Sequence, residues 1–214
     1  MINLRDLLNQ VVGLRTDISA GQGMAALEES AIKLARDTNL LKGTTLATLA
    51  SGASSLAIPI PPGRDLCRVD LVEFRNPSLD AQWRRVAESA KVFLDGKTLA
   101  PDTALTGRSP AGWALRSSVL SFPDPADADY PLRITYAWAP ARFAPQQLPF
   151  PPDAEDALTT YAAYLVYRLA GKERNLDASF LSLKQYRLCL PDLRAMADTG
   201  ESGARSVFEF LPQE

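Results

Sequence analysis

Five prolines fall within thirteen positions, at Pro140, Pro145, Pro149, Pro151 and Pro152, and they impose the sharpest constraint on this chain. Each locks φ and removes a backbone donor, so no regular helix or central strand is expected across 140–152. The stretch reads as an extended connector and marks a boundary. Hydrophobic periodicity differs on its two sides.

Downstream, Asp153 is an N-cap candidate, and Leu158, Tyr161, Ala162, Leu165 and Leu169 recur at helical spacing up to Gly171. A second helix is expected from Leu176 to Ala197, with Phe180, Leu183, Leu190 and Leu193 on one side and a kink at Pro191. The two form an antiparallel hairpin. Beyond Asp198 a glycine-bearing linker leads to the apolar cluster Val207, Phe208, Phe210 and Leu211. Such a cluster exposes apolar surface unless its own chain, another subunit or another protein receives it.

Upstream the chain opens with helical spacing again. Leu4, Leu7, Leu8 and Val11 follow an N-cap candidate, Asn3, and stop at Gly13; a second stripe of Met24, Leu27, Ala31, Leu34 and Ala35 ends near Thr38 or Asn39. From Leu41 the period changes to that of strands. Leu56–Ile60, Cys67–Phe74, Lys91–Leu94, Trp113–Phe122 and Leu132–Trp138 are the expected strands, and Asp95-Gly96 is a two-residue hairpin signal. In the last of them Leu132, Ile134, Tyr136 and Trp138 share one face. The fold class expected is α+β, divided into 1–40 (N-terminal helices), 41–150 (a small antiparallel β domain with the proline-rich connector), 151–198 (the helical hairpin) and 199–214 (an extended tail).

Composition enters through what it removes. The chain has 214 residues and no histidine, which eliminates Ser-His-Asp and Cys-His catalysis, histidine-containing zinc sites and an imidazole proton shuttle. With 46% hydrophobic and 22% charged residues and a formal net charge of −2, it reads as an ordinary globular protein, neither disordered nor polybasic. Cys67 and Cys189 make no zinc cluster or redox pair, leaving burial as small apolar residues or a single disulfide. Arg5 and Asp6 interrupt the N-terminus before a signal h-region forms, so synthesis in the cytoplasm is expected. Ala157–Tyr167, the most apolar stretch, is about half the roughly 20 residues of a membrane span, and no membrane partner is expected.

Motif lookalikes fail on inspection. Gly96-Lys97-Thr98 ends like a phosphate loop, but Lys91 stands where the first glycine belongs. Gly107-Arg108-Ser109-Pro110-Ala111-Gly112 departs from a nucleophile elbow by a misplaced glycine, and no histidine can take the serine proton. Asp124, Asp127 and Asp129 alternate as in a calcium loop, yet Asp129 and Thr135 occupy the places of its glycine and glutamate. No catalytic residue, cofactor or metal is assigned. Tyr164 and Tyr167 flank the main stripe of the first C-terminal helix, as interface residues or buried beneath the chain's own strands. Arg168, Lys172 and Arg174 gather at the end of that helix, either to compensate its dipole or to meet a phosphate or acidic partner.

Arg133-Ile134-Thr135-Tyr136, the approach Gln147-Leu148-Pro149-Phe150-Pro151, the run from Ala157 to Glu173 and the later Tyr186 together resemble the head-to-tail adaptor (connector) proteins of tailed bacteriophages. The resemblance is strongest over 131–197 and rests on pattern and order. It implies helices at both ends packed as a bundle around an inserted β domain, with no enzymatic activity. It further implies a homo-oligomeric ring of about twelve copies beneath the portal. Genomic DNA would pass through its channel without sequence-specific binding, and a downstream tail protein would bind the ring. Val207, Phe208, Phe210 and Leu211 would be the portal-binding tail, and the location the virion neck, after a stay in the host cytoplasm before assembly. Two alternatives stand beside this one: a tail-completion or stopper protein of the same neck, and a cytoplasmic small-ligand-binding or enzymatic domain.

Overall fold

A computed structural model describes residues 2–75, 82–86, 88, 112–141, 147–169, 171 and 174–199. The strand expected at Lys91–Leu94, the hairpin at Asp95-Gly96, the lookalikes at 96–98 and 107–111, Lys172, and the tail residues Val207, Phe208, Phe210 and Leu211 lie outside the described residues. Mixed α+β architecture is observed, with four α-helices and small antiparallel sheets among the described residues. The chain divides into two compact units. One comprises the described parts of Met1–Lys42, Pro62–Cys67 and Ala137–Glu214, the other Gly43–Pro61 and the described parts of Arg68–Tyr136.

The first unit holds the helices. Helix α1, Leu4–Val12, starts at Asn3, whose side chain accepts from the Arg5 N–H, and stops at Gly13, matching the sequence expectation. Helix α2, Ala20–Thr38, begins four residues earlier than its apolar stripe implied, because Ser19 and Gln22 form a reciprocal capping box that satisfies two otherwise orphaned donors. It ends where Asn39 takes a left-handed conformation at φ 54°. Gly23 lets α1 and α2 approach closely: a Cβ there would stand 2.8 Å from Val12 Cγ2 and 3.1 Å from Leu8 Cδ1.

Helix α3 covers Glu155–Arg168 and corrects two expectations. Asp153 is not its N-cap, since a 3-10 turn at Pro152–Ala154 precedes it and Ala154 takes the cap position with no side-chain hydrogen bond. Pro151 and Pro152 impose that turn, and Glu155 and Asp156 answer the helix dipole from the first turn instead. At its other end α3 stops at Arg168, before Gly171, where Leu169 is extended. Helix α4, Leu176–Thr199, runs through Pro191 as one element. Pro191 is on the exposed side, so water can satisfy the carbonyl that loses its helical donor.

Helix α3 packs against α1, α2 and α4. Leu7 and Val11, Leu27, Ala31 and Leu34, Leu158, Ala162 and Val166, and Tyr186 and Leu193 form the core of this unit. The proline stretch is not wholly irregular either. Strand β9, Gln147–Leu148, pairs antiparallel with β1, Ile2–Asn3, a two-residue ladder that fits between Pro145 and Pro149 and fastens the chain start to the approach to α3.

The second unit holds most of the other two sheets. A four-stranded sheet has the order β2 (Lys42–Leu49), β8 (Tyr130–Pro140), β4 (Arg64–Phe74), β5 (Arg84–Val86), the ends of its strands at Lys42, Arg64–Cys67 and Ala137–Pro140 belonging to the first unit. Leu132, Ile134 and Tyr136 are buried as the alternation required. Arg133 on β8 grips Glu73 on β4 through two bonds, Nε at 2.7 Å and Nη2 at 3.0 Å. Its guanidinium lies 4.9 Å from the centre of the Trp83 ring.

The single strand expected over Trp113–Phe122 is instead a hairpin. Strands β6, Ala114–Arg116, and β7, Val119–Ser121, are joined by Ser117 and Ser118 at φ 44° and 67°, and β3, Ser55–Ala57, completes the sheet on the far side of β7. Both central residues carry positive φ, as a tight hairpin turn demands, without the glycine or asparagine that signals one. Leu56–Ile60 likewise shortens to β3, ahead of Pro59.

Candidate assembly surface

The site built by α1, α3 and α4 starts from an arginine. Arg15, in the connection between α1 and α2, is 3% exposed. Its Nε and Nη2 donate to the two carboxylate oxygens of Asp17 at 2.9 and 2.7 Å. Its Nη1 donates to the carbonyls of Val166 and Leu169 at 2.8 and 2.9 Å. The guanidinium therefore caps the C-terminal carbonyls of α3, where the helix dipole concentrates negative charge, and thereby sets where that helix ends. The compensating charge assigned to Arg168, Lys172 and Arg174 thus has a buried contributor from elsewhere in the chain. Local sequence does not mark Arg15 as a cap, since the carbonyls it meets are 151 and 154 positions away.

Gly171 closes over this cap. Its φ is 156°, and a Cβ there would collide with the Asp17 carboxylate and the Arg15 guanidinium. The chain then turns into α4, with the Asn175 N–H donating to the Tyr167 carbonyl at 3.1 Å and the Asn175 side chain accepting from the Ala178 N–H at 2.9 Å.

The tyrosines of α3 separate into two environments. Tyr161 is buried, with ring centres 5.3 Å from Tyr164 and 4.8 Å from Tyr186 of α4. Tyr186 is also buried, and its hydroxyl donates to Asp37 Oδ2 at 2.8 Å. Desolvation, followed by this bond to a carboxylate, pushes the Tyr186 phenol strongly up. Asp37 is held in addition by Lys33 at 2.6 Å, and its backbone carbonyl accepts from Arg194 Nε at 2.8 Å, so α2 and α4 are joined through one residue. Tyr164, half-buried, continues the aromatic row outward to Arg168, which donates to its hydroxyl and stands 5.2 Å from its ring centre.

Tyr167 faces another way and lines a groove of about 360 Å³. Gln10, Val11 and Leu14 of α1 and the following turn, Thr159, Thr160 and Ala163 of α3, and Ala178, Leu181, Ser182 and Gln185 of α4 form the rest of its wall. Its lining combines apolar side chains with hydroxyl and amide groups. Of the residues singled out in the sequence, Tyr164 and Arg168 meet, Tyr167 is in the groove, and Arg174 is exposed.

The outer side of α4 is the feature sequence periodicity misassigned. Of the residues expected to share one side of this helix, Leu190 and Leu193 are buried but Phe180 is 66% exposed, with Leu181 at 58% and Leu188 at 69%. Ser179, Ser182 and Tyr186 take the buried side instead. The helix carries apolar residues on two faces, so spacing alone does not say which one packs; the serines are buried because their hydroxyls donate to the carbonyls of Tyr164 and Ala178 at 3.0 and 2.9 Å.

The cysteines are free and half-buried, which removes the disulfide reading and leaves them only partly covered. Partial desolvation is the main cause raising both thiols, with the Arg36 charge opposing it at Cys67. Two of the three aspartates of the apparent calcium pattern accept from protein donors: Tyr130 Oη donates to Asp127 at 2.6 Å and the Ser51 N–H to Asp129 at 2.8 Å. No helix among the described residues is long and apolar enough to cross a membrane. No protein-family model matches the chain, and no curated protein matches it.

Proposed function

We propose that this chain is a structural head-to-tail adaptor of a tailed bacteriophage, one member of a ring of about twelve copies beneath the portal. The ring extends the DNA channel and receives the next tail protein. In this reading α1 and α2 join α3 and α4 as a helical bundle, the elements between them in sequence form an inserted β domain, and Val207, Phe208, Phe210 and Leu211 anchor to the portal. The observation that carries it is the packing of α3 against helices from both ends of the chain, with the long strands encoded between them. That is the order of elements expected of an adaptor.

Mild acidity suits a channel through which DNA slides, because fixed basic patches would retain phosphates. The four helices among the described residues favour the adaptor over a stopper, which would consist mostly of sheet. Quantitative peptide mass spectrometry on purified particles tests the reading: recovery at roughly a dozen copies per particle supports a neck ring. Absence from particles that retain their tails overturns it. A second test deletes residues 200–214, which abolishes attachment to portal rings if the anchor is correct; unchanged attachment removes the anchor.

A further inference from the structure

Two exposed leucines lie along one side of α4, one at the groove and one beyond it toward Thr199. Leu181 forms part of the groove wall, Leu188 follows it seven residues on, close to two turns along the same side, and both are exposed. Leu14 borders the opposite wall and is exposed as well. Lys184, exposed, lies between Leu181 and Leu188.

The segment that follows α4 in sequence matches this surface in length and chemistry. Thr199 lies eighteen residues beyond Leu181 in a continuous helix, about 27 Å along its axis. Phe208 comes nine residues after Thr199, and an extended chain of that length spans about 30 Å. A segment doubling back along α4 therefore brings Phe208 to Leu181 and the groove.

We infer that the groove of α1, α3 and α4, with the Leu181–Leu188 stripe, is the docking site of the chain's own Val207–Leu211 segment. In this arrangement Phe208 meets Leu14, Tyr167 and Leu181. Burial of the phenylalanines against these leucines removes apolar surface of both from water. The inference concerns the chain before it meets any partner and does not depend on the portal reading.

The test uses the full chain carrying the photoreactive Phe208→p-benzoylphenylalanine substitution, prepared as an equal mixture of isotopically light and heavy protein. Irradiation followed by peptide mass spectrometry is expected to give cross-links within single chains, to residues 10–14, 163–167 or 178–188. Combining Leu181→Lys with Leu188→Lys, both at exposed positions, should cut their yield about tenfold, while the exposed control Leu46→Lys leaves it unchanged. Cross-links joining light to heavy chains would assign the groove to a second copy and overturn the inference. Cross-links elsewhere on the same chain, none at all, or a yield indifferent to the double substitution overturn it equally.

Discussion

Arg15 Nη1 donates to the carbonyl of Val166 at 2.8 Å, across 151 positions of sequence. The same guanidinium forks onto Asp17, so a buried ion pair and a helix cap are one group. Arg15→Ala removes the donor to the α3 carbonyls and the two bonds to the Asp17 carboxylate. A loss of about 3–5 kcal/mol is expected in urea denaturation. Arg15→Lys keeps the charge but not the planar fork, and recovers only part of that loss.

Gly171 is the one position where a methyl group tests the same cap from outside. At φ 156° and directly over Arg15 and Asp17, Gly171→Ala strains the backbone and displaces the guanidinium. Destabilisation of about 1–3 kcal/mol is expected. In an Arg15→Ala background the effect of Gly171→Ala should shrink, a coupling measurable in a double-mutant cycle.

Tyr186→Phe removes one hydroxyl and keeps the ring against Tyr161. The loss expected is about 1–2 kcal/mol, because the buried bond to Asp37 disappears while Lys33 still holds that carboxylate. Tyr186→Ala removes the ring as well and should cost about 3–5 kcal/mol. If the two variants melt together, packing contributes nothing beyond the hydroxyl and this assignment fails.

Alkaline pH addresses Tyr130, whose phenol is pushed up to about 12 by desolvation and then by its bond to Asp127. In the unfolded chain the same group loses its proton near 10.0, whereas the folded chain retains it. The stabilisation is thus complete below pH 10.0, falls as pH rises toward about 12, and is lost above that. Tyr161 and Tyr186 are raised too and act with the same sign. Thermal melts across this window should show a falling Tm, with a shallower fall in Tyr130→Phe. An unchanged slope in that variant would exclude Tyr130 as a contributor.

Local rules account for much of what was legible in the sequence. Asn3 and Gly13 bound α1, Asn39 ends α2, and the alternation of Leu132, Ile134 and Tyr136 shows the buried face of β8, since each depends on residues within a turn or a strand of one another. The pairing of β1 with β9, the Ser117-Ser118 hairpin, the choice of packed face on α4, the Arg15 cap and the groove were decided only in the tertiary structure. Those features join groups far apart in the chain, or select between two locally equivalent arrangements. Sequence spacing can encode which side chains share a helix face, but only the neighbour that buries one face, and the donor that meets an end carbonyl, settles which arrangement has the lower free energy.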